Sequence, residues 1–313
     1  MSNCLFCYQP LAANEQDFHK SCSKKIFGQH IPPALPYSEE DLEPLAKEVI
    51  QSQTAVTGVQ AKLSLHITGN NKEGTDRKFT IVGLWGGYIL KPPSALYPQL
   101  PEVEDVTMHL AQLAKIKTAP HSLIRLKSGN LAYVTKRIDR TKKGKLAMED
   151  MCQLTERLTE DKYHGSYEQI GKVIQKYSVT PGLDVVNFFE LVIFSFLTGN
   201  ADMHLKNFSL LEQPGLGMIL SPAYDLVNTA LVNPADDEEM ALTLNGRKKK
   251  LKKQDFVTAM NTLKVEEKQQ RNIFNKMAKV LPKWQALIDS SFMSDAFKEQ
   301  YKTILTERMN RLQ

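Results

Sequence analysis

Between Val185 and Leu197 the chain reads Val-Val-Asn-Phe-Phe-Glu-Leu-Val-Ile-Phe-Ser-Phe-Leu, apolar on nearly every side of a helix rather than along one stripe. Such a helix has no face to offer water, so it is expected in the core. Elsewhere the pattern is more broken. Ser38-Glu39-Glu40-Asp41 sets an acidic residue three positions after a cap-type serine, which predicts a helix from there to about Gln53. Short runs with strand character follow at Lys62–Ile67, Phe79–Leu84 and Tyr88–Lys91, with turn chemistry at Gly69-Asn70-Asn71-Lys72-Glu73-Gly74 between the first two. A helix is expected over Val103–Ala114 and strands over Ser122–Leu126 and Leu131–Arg137. From about residue 140 the pattern is mainly helical, interrupted by short strands near Phe208–Leu211 and Met218–Leu220. The C-terminal stretch reads as helices separated by Pro282 and by Asp289-Ser290-Ser291.

Strands first and helices after predict an α+β fold. We divide it into a small Cys/His head over residues 1–30, a sheet-rich N-terminal lobe over 31–139 and a larger helical lobe over 140–313. A cleft between two such lobes is where a nucleotide is expected.

Composition narrows the function classes. A net charge of +5 over 313 residues is mild for a dedicated nucleic-acid binder. Its sharpest local feature, Arg247-Lys248-Lys249-Lys250-Leu251-Lys252-Lys253, reads either as a solvated loop or as a contact to phosphate or an acidic partner. No apolar run approaches the roughly 18 residues of a membrane span, and Met1-Ser2-Asn3-Cys4 lacks the charged and apolar regions of a secretory signal. A cytoplasmic protein without a membrane partner is expected.

The chemistry is expected just after the buried helix, in Gly199-Asn200-Ala201-Asp202-Met203-His204-Leu205-Lys206-Asn207. An Asp-x-x-x-x-Asn loop on a rigid element is how protein kinases hold a catalytic base and a metal-binding amide beside the transferred phosphate. Asp202 is the candidate base. Asn207, with Asp225 of Ser221-Pro222-Ala223-Tyr224-Asp225, is a candidate Mg²⁺ ligand, because hard cations prefer oxygen. Lys91, at the end of a strand stopped by Pro92-Pro93, suits a point charge on nucleotide phosphates, with Glu104 as a candidate partner. Taken alone, each has an ordinary alternative: a solvated lysine, a first-turn glutamate, a capping or turn aspartate. Thr57-Gly58-Val59-Gln60-Ala61-Lys62 is a candidate phosphate-covering turn, with Gly58, Gln60 and Lys62 near the nucleotide. Its single glycine matches neither the protein-kinase glycine loop nor the P-loop. His204 is expected to hold the loop rather than to move protons, and His109 and His121 read as structural.

Taken in order, these segments resemble the HipA-like serine/threonine kinase toxins of bacterial toxin–antitoxin systems, particularly the short HipT-type members. The matching pieces are Thr57–Leu65, Tyr88–Pro92, Leu131–Arg140, Glu149–Gln153, Lys162–Tyr167, Gly199–Asn207 and Ser221–Asp225, and the likeness covers roughly residues 50–310. The resemblance implies a two-lobed protein-kinase-like fold, ATP and Mg²⁺, and a protein substrate of the aminoacyl-tRNA synthetase class. It implies that Asp202 is the base, Asn207 and Asp225 the metal ligands, Lys91 the phosphate lysine, and Val134-Thr135-Lys136 the hinge that holds adenine. It further implies a helix-turn-helix antitoxin, DNA contact only through that antitoxin, and a third small protein resembling a missing N-lobe extension. Family members phosphorylate a serine in the loop before the Gly-x-Gln, where the added charge of roughly −2 draws the loop from the ATP site. Short members often carry Ser-x-Ser there. This chain has Ala55-Val56-Thr57, which leaves Thr57, Thr54 and Ser52 as the hydroxyls.

Two further whole-protein readings stand beside this one. A catalytically silent kinase-like binding module would keep the fold without turnover. A zinc-ribbon nucleic-acid binder would rest on the head and the basic run. In the head, Cys4-x-x-Cys7 and His19-x-x-Cys22 are two close ligand pairs eleven residues apart. That spacing suits a structural Zn²⁺, the alternative being reduced thiols in a packed head. Cys152, far from these in sequence, is expected in the core.

Overall fold

The computed structural model describes residues 2–52, 62–69, 77–82 and 86–313, without the side chains of 46–52. The loop bearing Thr54, Ala55, Thr57, Gly58 and Gln60, and the turn from Asn70 on, lie outside the described residues. Two compact units emerge: Met1–Asp105 with Ala119–Ile138, and Val106–Thr118 with Asp139–Gln313. Residues 1–30 belong to the first.

The first unit contains α1 (Lys20–Phe27), α2 (Glu39–Ser52), β1 (Leu63–Thr68), β2 (Lys78–Ile81), β3 (Tyr88–Lys91), the start of α3 (Leu100–Leu113), β4 (His121–Arg125) and β5 (Leu131–Lys136). The strands form one antiparallel sheet in the order β2-β1-β3-β5-β4. Ser38 starts α2 as its sequence predicts, its N–H and hydroxyl both donating to Asp41 Oδ2 at 2.8 and 2.9 Å. Helix α3 begins three residues before the expected Val103, since Pro101 in a first turn forfeits no helical hydrogen bond. Alternate residues Leu63, Leu65, Phe79, Tyr88 and Leu90 are buried on the sheet. Phe79 meets Phe27 and Tyr88 edge-on at 5.7 and 5.3 Å. The Tyr88 hydroxyl donates to the Ile26 carbonyl, and burial pushes the phenol up to about 12.

The second unit opens with the hairpin β6 (Arg140–Thr141) and β7 (Gly144–Lys145), then β8 (Met148–Asp150), α4 (Met151–Leu154), α5 (Tyr167–Tyr177) and α6 (Pro181–Leu197). It continues with β9 (Ser209–Gln213), β10 (Gly217–Leu220), α7 (Thr229–Val232), α8 (Lys253–Thr262), α9 (Glu267–Asp289) and α10 (Asp295–Asn310). The two expected short strands pair as the β9–β10 hairpin, and β8 joins to give the order β10-β9-β8. Helix α6 is buried along most of its length, from Val185 to Leu197. Arg308 of α10 donates to the Phe196 carbonyl at 2.6 Å, and Trp284 of α9 donates to the Leu110 carbonyl at 2.8 Å.

One boundary departs from expectation. Pro282 does not separate two helices: α9 runs through it unbroken. Its ring sits on the exposed face, as does Ala278, whose carbonyl loses its helical partner to the proline and is left to water. The opposite face, with Ile273, Met277, Val280, Trp284 and Ile288, is buried and holds the helix together across the lost bond. Among the described residues no helix is long and apolar enough to cross a membrane.

Half of the six cations of the basic run are paired within its own unit. Lys249 pairs with Asp237, Lys248 with Glu238 at 3.2 Å, and Arg247 approaches Asp255 at 4.0 Å. Leu251, in its middle, is fully buried.

Candidate active site

The loop after α6 is built to a fixed shape. Gly199 adopts φ +74°, and a Cβ there would stand 2.4 Å from Asn228 Oδ1, so only glycine fits. Thr229 then grips the turn from both sides, its Oγ1 donating to the Gly199 carbonyl at 3.1 Å and accepting the Ala201 N–H at 2.7 Å. The Asn200 side chain accepts the Asp202 N–H at 3.1 Å.

Asp202 therefore emerges from a rigid base with its side chain 45% exposed, enough for a large substrate to reach. Tyr163 donates its hydroxyl to Asp202 Oδ1 at 2.6 Å. Burial and the neighbouring Asp202 carboxylate both push the Tyr163 phenol well above its ordinary range, so it stays a donor. His204 packs edge-on against Tyr163 at 5.0 Å, and its Nε2 is 3.9 Å from Asp202 Oδ1, too far for a hydrogen bond.

Asn207 closes the loop. Its Nδ2 donates to the Asp202 carbonyl at 2.9 Å and its own N–H to the His204 carbonyl at 2.9 Å. With the amide nitrogen so engaged, Oδ1 faces the other way as an oxygen donor, which suits a hard cation. Asp225 reaches the same neighbourhood through the hairpin. Asn207 lies just before β9 and Asp225 just after β10, and Leu210 pairs with Leu220, so both fall at one end of the ladder. The Ser221 N–H to the Ser209 carbonyl extends the pairing, and the Tyr224 hydroxyl donates to the Lys206 carbonyl at 3.0 Å. Asp225 itself sits at φ +60°, a conformation aspartate tolerates better than most residues.

In the first unit, Lys91 and Glu104 form a buried pair. Nζ lies 2.5 Å from Oε1, the residues are 3% and 1% exposed, and the ammonium stands 5.4 Å above the Tyr133 ring centre. The hinge candidates lie in β5, where Val134 and Thr135 are paired on both sides, by β3 and β4. Lys136 differs. Its N–H goes to the Pro120 carbonyl at 2.8 Å, and the proline opposite has no N–H to return, so of the three the Lys136 carbonyl is the one suited to an incoming amine. Lys62 is exposed immediately before β1, and Ser52 closes α2.

Sequence reasoning assigned no role to Tyr163, although Lys162–Tyr167 was among the matching pieces. It also gave no sign of a buried network in which Tyr8 donates to Asp105 Oδ2 at 2.6 Å and His121 Nδ1 meets Asp105 Oδ1 at 2.8 Å. That network makes His121 a satisfied structural histidine, as expected. Cys152 is buried as expected, and desolvation raises its thiol.

Residues 54–284 match the family described as HipA-like C-terminal domain. Similar proteins include "Putative kinase Y4dM" of Sinorhizobium fredii, 35% identical over 56% of this chain and 45% of that protein. Another is a "Putative kinase" of Haemophilus influenzae, 28% identical over 74% of this chain and 69% of that one. The chain thus spans less than half the length of the first of these relatives. Among solved structures, HipA of Shewanella oneidensis, in complex with HipB and operator DNA, superposes with a TM-score of 0.67 at 22% identity, over 85% of this chain and 70% of its own. The Helicobacter pylori proinflammatory kinase CtkA gives 0.53 at 18%, over 72% and 86%. The fold is shared with both: mixed helix and sheet, sheet-rich toward the N-terminus and helical toward the C-terminus.

Proposed function

Because this chain belongs to the HipA-like family, we propose that it is an ATP- and Mg²⁺-dependent serine/threonine protein kinase of the short, HipT-type group, acting as the toxin of a toxin–antitoxin system. The observation that carries the reading is the Asp202 loop. An exposed carboxylate is fixed by Tyr163 and by its own backbone, with an amide oxygen at Asn207 and a carboxylate at Asp225 brought to one end of the β9–β10 hairpin.

In this reading Asp202 orients a serine or threonine hydroxyl and accepts its proton as the oxygen attacks. Asn207 and Asp225 hold Mg²⁺, which when bound neutralises charge on the phosphates. Lys91, kept extended by Glu104, offers a fixed positive charge to ATP. The Lys136 carbonyl takes the adenine amine, and Gly58, Gln60 and Lys62 cover the phosphates. Phosphorylation at Thr57, Thr54 or Ser52 regulates the loop before Gly58. The substrate is an aminoacyl-tRNA synthetase, whose modification arrests translation. A helix-turn-helix antitoxin, by analogy with the HipB partner of the Shewanella protein, and a third small N-lobe-like protein are its partners, and DNA is reached only through the antitoxin.

Phosphoproteomes of cells expressing the chain or its Asp202→Ala variant test this. New phosphoserine or phosphothreonine on a synthetase in the first alone supports the reading. Matching phosphoproteomes, with ATP still bound by the purified chain, would instead identify a silent kinase-like binding module.

A further inference from the structure

The head presents a second constellation, separate from the kinase chemistry. One ligand atom from each of Cys4, Cys7, His19 and Cys22 lies within 4.8 Å of every other. These residues come from two local devices. Cys4 and Cys7 sit on a tight turn closed by the Tyr8 N–H to the Cys4 carbonyl at 2.9 Å, with Tyr8 at φ +63°. His19 is the residue before α1, and Cys22 lies in that helix's first turn. Although His19 occupies the capping position, its side chain makes no cap hydrogen bond and is turned toward the thiols instead.

The imidazole decides between a metal site and a packed thiol cluster. His19 Nε2 lies 3.0 Å from the Pro10 carbonyl, with Glu15 Oε2 3.8 Å away. A carbonyl oxygen can only accept, so Nε2 carries the proton and Nδ1 presents its lone pair. That lone pair faces two sulfurs at once, Cys7 Sγ at 3.4 Å and Cys22 Sγ at 3.7 Å. A thiol hydrogen bond would use only one of them. A tetrahedral ion with bonds of about 2.3 Å to sulfur and about 2.0–2.1 Å to nitrogen sets each sulfur roughly 3.5 Å from the nitrogen, between the two distances found. An outer carbonyl or carboxylate on the far ring nitrogen is also how metal-binding histidines are held.

We infer that Cys4, Cys7, His19 through Nδ1, and Cys22 bind one Zn²⁺ in a closed tetrahedral shell, and that this ion clamps the N-terminal head onto the edge of the five-stranded sheet. Each thiol releases its proton to solvent as it binds. Four protein ligands leave no open position, so the ion is structural. The clamp has a definite target. The Leu5 carbonyl, inside the Cys4–Cys7 turn, accepts the Leu123 N–H at 3.4 Å and the Ser122 hydroxyl at 3.1 Å, both from the edge strand β4. Tyr8, next to Cys7, reaches the buried Asp105, Phe27 of α1 packs against Phe79 and Tyr88 of the sheet, and the Ile26 carbonyl accepts the Tyr88 hydroxyl.

The experiment uses the full chain, purified without chelator. Elemental analysis is expected to give one zinc per chain. Protein stripped by chelator and refilled with Co²⁺ should show thiolate charge-transfer bands and the strong visible bands of a tetrahedral ion. His19→Cys keeps four soft ligands, so it should retain stoichiometric metal with an altered cobalt spectrum. His19→Ala should weaken zinc by more than the roughly 10–100-fold that loss of an outer-shell partner costs. Should Cys4→Ser or Cys22→Ser fail to fold, competition between wild-type protein and a zinc indicator still gives the affinity. Metal-free protein with no measurable zinc affinity, a Cys7–Cys22 disulfide found by mass spectrometry, or zinc unaffected by His19→Ala would each overturn the inference. None of these readouts depends on phosphate transfer.

Discussion

The hydroxyl of Tyr163 donates to Oδ1 of Asp202 across 2.6 Å, joining residues 39 positions apart. The bond fixes the rotation of an otherwise exposed carboxylate, and in the proposed kinase Oδ2 is then the atom that meets the substrate hydroxyl. Tyr163→Phe keeps the packing against His204 and removes only the donor. Steady-state kinetics should show kcat lowered on the order of tenfold, the worth of a hydrogen bond of about 1.4 kcal/mol, with KM for ATP little changed. An unchanged kcat would mean that the carboxylate is oriented by its backbone alone.

Lys91 and Glu104 make a separable prediction. Removing one member of a buried ion pair strands the other, so Glu104→Gln should lower stability by about 3–5 kcal/mol. Replacing both together, Lys91→Met with Glu104→Leu, should recover much of that stability in a denaturation experiment, while phosphate transfer, which in the proposed kinase uses the Lys91 charge, is lost. Recovery of both would show that the pair serves the fold only.

Acid stability should depend on Glu239, which Arg311 grips with two bonds of 2.6 and 2.9 Å while the Leu251 N–H adds a third at 3.0 Å. Burial alone would raise this carboxyl, but the Arg311 bond and charge and the Leu251 N–H outweigh it and hold the group below its ordinary value of 4.5. A depressed folded pKa contributes stability that is fully present above the unfolded value and is lost as pH falls through the folded one. Glu239→Gln should therefore cost roughly 1–3 kcal/mol at neutral pH, and the gap to wild type should narrow as pH falls below the ordinary value of 4.5 and close only below the depressed folded value. Chemical denaturation across pH measures it.

Pro282 interrupts a helix that packing holds together. Pro282→Ala restores a backbone donor on an exposed face without touching the core, and should stabilise the chain by about 1–3 kcal/mol, read as a later denaturation midpoint. A destabilised variant would mean the proline sets a bend that the packing of α9 requires.

The limits of sequence reading follow from the range of each interaction. The all-round apolar α6, the Ser38 cap, the β9 and β10 segments and the Cys/His spacing are local, so each leaves a mark within a few residues. Pro282 misled because its helix-breaking tendency is local, whereas the buried face opposing it is assembled from distant parts of the chain. Tyr163 with Asp202, Tyr8 with Asp105 and Arg311 with Glu239 leave no periodic trace, since their partners meet only in three dimensions. Lys91 and Glu104 are an intermediate case: thirteen residues apart, each with an ordinary alternative until the fold brings them to 2.5 Å.

Phosphate transfer from γ-labelled ATP by the purified full chain with Mg²⁺, set beside its Asp202→Asn variant, tests the kinase reading most directly. Labelled serine or threonine in a protein substrate is predicted for the wild type, with the rate falling by about 10²–10⁴ in the variant, the usual contribution of a general base. Equal labelling by both proteins, or ATP bound by the wild type with no transfer to any protein, would contradict it.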